Sequence, residues 1–524
     1  MEAQKGFHNG KRYLIIVLLH QTKERHMIKI TFQPELRPVL RNVIGPKDYR
    51  EFRGILLESS RILHEAGLED AFVSRYLSTH AKGIVSQRVL ESHAKTVVKA
   101  LRHSILLSLT GLSCRELATR LADSDLFRWF VGVDKVDGSR TYSKSTLDRF
   151  AKMFDDSEIE ELIHSLNKAV IDGDSSGLIL LRDNPLVFED YFADSTCVKS
   201  NIHFPIDWLL LRDICGTLLK AIQLIRSAGL LNRMESSPEC FAKRVNKLCI
   251  EMTHTRRRAD SKSARKQILR RMKKLSKTVE RHAMKHRDKL IARRCETEFS
   301  EAQAKLIIDR IDNVLEQLPA ALRQAHERII GERKVPNKDK ILSAYEKDVH
   351  VIVRGKASGE IEFGNGLTLV EQTDGLIADW QFFKDAPPAD SSFVKESVQR
   401  ITHQYHAPKS YVGDRGFDSK SNKDYLEEAE IFNAICPRSV DEMRERNEND
   451  DLFTRLQTRR SATEARIAVF KNNYLGKPLR SKGFANRKTR VVLCILAHNL
   501  WKISSMAYER RKELEAEREN AKAA

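Results

Sequence analysis

The sequence RRSATEARIAVFKNNY, residues 459–474, predicts a helix on which a carboxylate lies between two cations. It contains no Gly or Pro, and Ala, Arg, Glu and Lys favour a helix across most of it. At 100° per residue, Arg460, Glu464 and Lys471 fall within about 40° of one another. Apolar residues such as Val469 point in other directions, which predicts a mostly buried helix whose polar stripe faces a cavity. On these residues alone, the simpler interpretation is a surface helix with an ordinary Glu–Lys stripe.

Two further stretches favour the cavity. Asp194 interrupts an apolar run in YFADSTCV, and Asp414 follows a short β-prone run in SYVGDRGFDS. Two buried strands that each end in a carboxylate, together with the helix that carries Glu464, would form an oxygen-rich site of the kind that Mg²⁺ and Mn²⁺ prefer. Two such ions about 3.5–4 Å apart can stabilise both the attacking and the leaving oxygen of a phosphodiester displacement.

The composition points to a polyanion as the partner. The chain has 524 residues, enough for two to four domains, and a net charge of +19. Residues 241–295 hold 20 Lys and Arg against 4 Asp and Glu, a net of +16, so the excess is local. The eight cysteines show no zinc-binding spacing, which indicates reduced thiols in the cytosol. The apolar run at 13–19 is too short to span a membrane and has no signal-peptide pattern, so no export is expected.

Periodicity divides the chain into a mixed α/β core, an all-α N-terminal region and a long helical insertion. Helical patterns fill the N-terminal region and suit either a DNA-binding headpiece or plain helical packing. Alternation in HVIVRGKASGEIEFGNGLTLVE (350–371) predicts two strands joined by a turn, and Asp441 to Asp451 an acidic loop. The predicted segments are a tail with a short strand that begins near Met27 (1–50), the helical region (51–180), the catalytic core (181–206 and 345–488), a basic helical or coiled-coil insertion (207–344), and a C-terminal helix and tail (489–524).

Within the insertion, Asp207 is predicted to cap the first helix. Apolar residues at 268, 272, 275 and 279, and again at 307, 311, 314 and 318, have the 4–3–4 spacing of helices that pack as coiled coils. The basic excess favours contact with phosphate, and Arg256, Arg257 and Arg258 are the predicted contacts. The alternative is a solvated charged face.

Several of these motifs resemble the DDE-type insertion-sequence transposases of bacteria, whose catalytic core has the ribonuclease H-like fold. ADSTCVKSNIHFP (193–205) resembles the strand that carries the first aspartate of the family, and VRGKASGEIEFGNGLTL (353–369) resembles the hairpin that follows this strand. GDRGFDS (413–419) resembles the D-R-G-[YF] motif that contains the second aspartate. In the motif Y-x2-R-x3-E-x6-K of one branch, Arg460, Glu464 and Lys471 match the last three positions. Gln457 stands where that branch has tyrosine. The resemblance covers most of 100–205 and 345–500.

The resemblance implies a transposase that cleaves DNA at transposon ends and joins the freed 3′ ends to target DNA. Asp194, Asp414 and Glu464 would then be the catalytic ligands of two Mg²⁺ (or Mn²⁺) ions. Arg460 and Lys471 would contact phosphate near the cut, or Arg460 would form an ion pair with Glu464. The implied partners are double-stranded DNA (terminal inverted repeats and target) and a second copy of the chain, in the bacterial cytoplasm at the nucleoid and with no membrane.

Two other hypotheses remain open at the level of the sequence. A stand-alone or domesticated nuclease would keep the ribonuclease H-like fold and the metal, but it would not recognise inverted repeats. A non-catalytic DNA-binding regulator would use the basic helices and would show salt-dependent binding without any metal dependence. It leaves three separate acid motifs unexplained.

Overall fold

The computed structural model of the chain describes residues 11–12, 16–18, 29–31, 35–36, 39–81, 86–134, 138–171, 186–255, 260–353 and 361–523. The predicted DNA contacts Arg256, Arg257 and Arg258 lie outside these residues, as does the turn at 354–360.

Short strands pair near the N-terminus. β1 (Lys11–Arg12) pairs antiparallel with β4 (Glu35–Leu36), and β2 (Ile16–Leu18) pairs antiparallel with β3 (Lys29–Thr31). β3 lies in the stretch after Met27 where a short strand was predicted.

In the described residues between 39 and 171, seven helices follow and form the predicted all-α N-terminal region. Ser113 accepts from the backbone N–H of Glu116 and Glu116 accepts from that of Ser113, a capping box that satisfies two free donors at the start of the fourth helix. The helices are α1 (Lys47–Glu65), α2 (Leu68–His80), α3 (Gln87–Thr110), α4 (Cys114–Asp123), α5 (Asp125–Val131), α6 (Lys144–Phe150) and α7 (Asp156–Ile171).

A six-stranded mixed sheet forms the centre of the molecule. Its order is β10-β9-β5-β7-β6, and β8 also pairs with β7. β5, β9 and β10 run parallel, whereas β6, β7 and β8 pair antiparallel. The strands are β5 (Asp190–Lys199), β6 (His350–Val353), β7 (Ile361–Gln372), β8 (Ile377–Phe382), β9 (Ser410–Gly413) and β10 (Phe432–Ile435). This mixed sheet, flanked by helices, confirms the predicted ribonuclease H-like fold.

Between β5 and β6 the chain forms a helical bundle with its own hydrophobic core. The apolar residues with 4–3–4 spacing are buried in this core. The first of its four helices contacts each of the other three, and the third contacts the second and the fourth. The helices are α8 (Asp207–Ser227), α9 (Pro238–His254), α10 (Ser261–Arg293) and α11 (Glu301–Ala325).

The predicted cap at Asp207 is wrong. Asp207 is the first residue of α8 and Ile206 holds the cap position, where no side chain caps the helix. The buried carboxylate of Asp207 instead accepts from Gln324 Nε2 at 2.9 Å and Arg328 Nη1 at 2.8 Å. It therefore ties the start of the bundle to its end.

Five helices complete the core. They are α12 (Val394–Gln404), α13 (Lys420–Glu428), α14 (Val440–Asn449), α15 (Asp451–Val469) and α16 (Phe484–Ala523). α14 occupies the stretch predicted as an acidic loop, because Ser439 caps it and two of its acidic residues, Asp441 and Glu442, lie in the favourable first turn. α16 packs against α1, α3 and α7, and these helices share one hydrophobic core with the sheet.

α16 is also long and apolar enough to cross a membrane, judged by length and composition alone. Most of its apolar stretch is buried inside the protein, as in the core helix of a folded domain, so this is weak evidence for a membrane span. All eight cysteines are free thiols, as predicted.

Candidate active site

The register of two parallel strands brings the first two acids together. β5 and β9 pair Asp190 with Ser410 and Phe192 with Val412. Extending that register by two residues brings Asp194 opposite Asp414. Each carboxylate accepts a hydrogen bond from a backbone N–H close by in the chain. The N–H of Ser195 donates to Asp194 Oδ1 and the N–H of Gly416 donates to Asp414 Oδ1, both at 2.8 Å.

The prediction that both aspartates end their strands holds only for Asp414, which follows the last residue of β9. Asp194 lies inside β5, because β7 pairs with that strand as far as Lys199. Only the parallel pairing to β9 stops at Phe192, so the two strands part where the carboxylates lie.

The third acid is close enough for its charge to act on the first. Burial raises the pKa of Asp194 to about 6, and the negative charges of Asp414 and Glu464 add to this increase, which the N–H of Ser195 and the charge of Arg460 partly offset. Excess negative charge at a half-buried carboxylate is the electrostatic condition that a divalent cation relieves.

Glu464 pairs with Arg460, whose Nη1 donates to its Oε1 at 2.8 Å, and the Glu464 side chain is 51% exposed. The prediction of a mostly buried helix is therefore wrong. Only one face of α15 is buried, the face that carries Thr463 and Ile467, whereas Val469 is 49% exposed.

Lys471 does not share the exposed face of Arg460 and Glu464. α15 ends at Val469, and residues 470–475 form a single π-helical turn that contains Lys471. The buried Lys471 Nζ donates to Thr196 Oγ1 at 2.9 Å. Thr196 and Asp194 project from the same face of β5, because they are two residues apart, so Lys471 lies on the side of the sheet that carries the acids.

Gln457, which departs from the family motif, connects the second acid to the third. Its Nε2 donates to the carbonyl oxygens of Gly413 at 3.1 Å and Ala434 at 2.6 Å, at the ends of β9 and β10. Its Oε1 accepts from Arg460 Nε at 3.2 Å.

Sequence reasoning missed a buried carboxylate that holds α15 on the sheet. Glu371 of β7 accepts, at one oxygen, from Thr463 Oγ1 at 2.7 Å, Arg466 Nη1 at 2.8 Å and the guanidinium of Arg459 at 3.1–3.2 Å. Arg459 also stacks on the ring of Phe192, 4.3 Å from its centroid. The sequence does contain a signal for this contact. The three donors Arg459, Thr463 and Arg466 are spaced by four and three residues, so they form a second polar stripe along α15.

The residues present fit a divalent metal in their chemistry, because carboxylates from two adjacent strands and one helix act on one another through their charges, and carboxylate oxygens are the ligands that Mg²⁺ and Mn²⁺ prefer. Within the described ranges, the three acids do not form a group whose oxygens all lie within 4.8 Å of one another. The group that meets this limit is His80, Asp155 and Glu158 in the helical region, where Glu158 accepts from the backbone N–H of Asp155 at the start of α7. That arrangement is a helix cap, away from the sheet.

Two aspartates on neighbouring strands of a ribonuclease H-like sheet, with a glutamate on a later helix, define the DDE class of catalytic domain. Residues 365–500 match the family model described as the transposase DDE domain, so this part of the chain is similar to the catalytic domain of the DDE-type transposases. The match includes Asp414 and Glu464 but begins after β5, so Asp194 lies outside it. It confirms the resemblance seen in the sequence. In general terms, this family acts on DNA in transposition and uses divalent metal ions. No curated protein and no solved structure matched the chain.

Proposed function

We propose that the protein is a transposase that cleaves DNA at the ends of a transposon and transfers the freed 3′ ends into target DNA. The observation that carries the proposal is the common register of β5 and β9, which brings Asp194 opposite Asp414 on the side of the sheet where the charge of Glu464 is felt. Its substrate would be double-stranded DNA with terminal inverted repeats. Because two transposon ends must be brought together, the protein would act as a homodimer. It would act in the bacterial cytoplasm, at the nucleoid.

Asp194, Asp414 and Glu464 would hold two Mg²⁺ or Mn²⁺ ions. When bound, such ions lower the pKa of an attacking hydroxyl and stabilise the leaving oxygen. Release of Glu464 Oε1 from Arg460 would let both oxygens of Glu464 act as ligands, and Arg460 would then be available to donate to a phosphate oxygen near the cut. Lys471, which stays beside Thr196, would add positive charge behind the acids.

Two displacements would make up the reaction. In the first, water attacks phosphorus at the transposon end, the bond from phosphorus to the 3′ oxygen breaks, and that oxygen takes up a proton. In the second, the new 3′ hydroxyl loses its proton and attacks a target phosphorus, and a target 3′ hydroxyl leaves. The number of phosphodiester bonds is unchanged by the second step, so no external energy source is required.

We also propose the predicted division of the chain. The helical region (51–180) would dock on DNA, the core (181–206 and 345–488) would carry the chemistry, and the insertion (207–344) would contact the DNA backbone. Residues 1–50 and 489–524 would form the flanking tail and the C-terminal helix.

A cleavage assay tests the function. DNA that flanks the gene, labelled at both ends, is incubated with wild-type protein, with Asp414→Asn and with Asp424→Asn, in Mg²⁺, in Mn²⁺ and in chelator. Asp424 is an exposed acid on α13 and provides a control of equal charge change. We expect metal-dependent cuts at the tips of the inverted repeats with wild type and Asp424→Asn, and none with Asp414→Asn.

The other outcomes decide between the rival hypotheses. Cuts that ignore the repeats would identify a nuclease. Metal-independent binding with no cut, at any protein concentration, would identify a regulator. Normal cutting by Asp414→Asn would remove Asp414 from the site.

A further inference from the structure

One face of α10 carries a line of exposed cations. Each of the five is exposed, and no acid lies between them on this face; Asp288, the next residue along the face, pairs with Arg287. We call the five cations the α10 stripe, which consists of Arg270, Lys274, Lys277, Arg281 and Lys285.

The stripe runs along the side of α10 that is turned away from the bundle. Spacings of 4, 3, 4 and 4 residues keep the five side chains within an arc of about 80°, over a length of about 22 Å. The buried residues of the same helix, among them Leu269, Met272 and Val279, have a mean direction about 170° away. The stripe is therefore separate from the packing face, and its cations are not needed to hold the bundle together.

Other cations of α10 are neutralised within the protein. Arg271 pairs with Glu251 at 2.9 Å, Arg287 with Asp312 at 2.7 Å and Lys266 with Glu332 at 2.7 Å. Among the described residues, none of the five stripe cations forms an ion pair. An exposed row of like charges is unfavourable, because neighbours at i,i+4 repel, so this row is better explained by an external anion than by local stability.

The neighbouring helix extends the positive surface. α9 packs beside α10, and between them lies an open groove of about 760 Å³. The exposed residues Lys243 and Lys247 of α9 line this groove, together with Asp260 and with Glu251, which pairs with Arg271. The cations therefore cover two adjacent helices, which suits a partner with many charges and not a single bound phosphate.

We propose that the α10 stripe is a binding surface for the phosphate backbone of duplex DNA, independent of base sequence and separate from the acids on the sheet. The proposal rests on the proposed function for its partner. A duplex presents about one negative charge per 1.7 Å of its axis when both strands are counted, so a row of about 22 Å spans a length of duplex that carries roughly 13 phosphates, and the stripe would contact those on the facing side. The stripe consists only of Lys and Arg, which supply most contacts to phosphate oxygens, and it contains no aromatic residue on which a base could stack.

The test compares two triple variants of the full-length chain. Lys274→Gln with Lys277→Gln and Arg281→Gln removes three charges from the stripe. Arg271→Gln with Arg287→Gln and Arg293→Gln removes three charges from the same helix, but from residues that are paired with carboxylates. Fluorescence anisotropy of a random duplex of about 30 base pairs, in chelator, gives the dissociation constant between about 50 and 300 mM KCl.

We expect the stripe variant to bind at least tenfold more weakly at about 100 mM KCl, and the slope of log affinity against log salt to fall by about 2 to 3, since each lost phosphate contact removes about 0.9. The paired variant should stay within about threefold of wild type in affinity. Equal effects of both triples, or an unchanged slope in the stripe variant, would overturn the proposal. Circular dichroism melting of both variants ensures that the bundle is folded.

The cleavage assay separates failure of this inference from failure of the proposed function. If wild type cuts at repeat tips and both triples bind alike, only the stripe proposal fails. If no protein cuts but binding depends on the stripe, only the proposed chemistry fails. If the stripe variant cuts normally at saturating DNA and less well at limiting DNA, both proposals are supported.

Discussion

Gln457 Nε2 donates to the carbonyl oxygen of Gly413 at 3.1 Å, one residue before Asp414. Gln457 Oε1 accepts from Arg460, which in turn donates to Glu464. One side chain thus joins the end of the strand that carries the second acid to the helix that carries the third. Where the related motif has a tyrosine, this protein uses an amide, which can donate to two strand ends and accept from Arg460 at once.

We expect Gln457→Met to lower the cleavage rate by about tenfold. The substitution removes the hydrogen bonds that connect α15 to the strand ends, so Glu464 would be positioned less well. A tenfold loss corresponds to an activation barrier higher by about 1.4 kcal/mol. The loss should be in kcat and in the metal requirement, with DNA affinity unchanged. Thr458→Ala is the control, since Thr458 is exposed and bonds only within α15. A loss of rate that is equal in the two variants would show that Gln457 has no positioning role.

The pair between Arg460 and Glu464 predicts competition with the metal. Since the pair is exposed and joins residues four apart on a helix, it is worth about 0.3–0.5 kcal/mol. Arg460→Gln should therefore bind Mg²⁺ more tightly. Calorimetry without DNA should show a dissociation constant for Mg²⁺ that is about twofold lower than that of the wild type. Arg455→Gln, which removes an exposed cation from the same helix, should leave that constant unchanged. Weaker metal binding by Arg460→Gln would contradict the competition.

The raised pKa of Asp194, about 6, predicts a pH-dependent cost of folding in the absence of metal. The folded protein holds this proton more tightly than the unfolded chain, whose Asp pKa is about 3.9, so stability falls as pH rises between these values. Asp194→Asn should therefore raise the free energy of unfolding in chelator by about 1–3 kcal/mol at pH 8, and by less at pH 4.5. Urea unfolding measures both.

The same comparison has an internal control. Asp424→Asn, on an exposed face of α13, should change stability little at either pH. Saturating Mg²⁺ should remove the advantage of Asp194→Asn, because binding stabilises the wild type only. A gain that is equal at both pH values would mean that ionisation of Asp194 is not its cause.

The turn before β8 must remain small because Arg466 passes over it. Gly375 has a φ of +91°, and a Cβ there would lie 2.7 Å from Arg466 Nε. Gly229 has a φ of +90° and nothing within 4 Å of the same position. Gly229→Ala therefore measures the backbone strain alone, about 1–2 kcal/mol, and Gly375→Ala should cost about 1–2 kcal/mol more in urea unfolding. Equal costs would show that Arg466 moves aside freely.

The sequence predicted those parts of the site that local chemistry determines. Apolar runs that stop at Asp194 and Asp414 indicate strands, and the Ala- and Arg-rich run around Glu464 indicates a helix. β8 was missed because its Asp379 is buried, held by Arg400 and Ser397 from α12, so the apolar pattern of a strand is interrupted.

Other features of the site depend on packing between distant elements. Glu371 could not be identified from its own neighbourhood, because its three donors lie on α15, about 90 residues away in sequence. The burial of Lys471 depends on its contact with Thr196 of β5, 275 residues away in sequence. Regular helical geometry predicts Lys471 on the exposed face of Glu464, two turns further along, and cannot show that a distant strand covers it.

Gly364 of β7 lies between the two ends of the insertion. It pairs with Lys199, where β5 ends, on one side and with His350, where β6 begins, on the other. Residues 200–349 thus leave and re-enter the sheet about 10 Å apart, two strand spacings. A loop of about four residues could bridge that gap. A gene can gain, lose or exchange such a segment without reordering any strand, so the contacts that we propose between the insertion and DNA can evolve separately from the catalytic site.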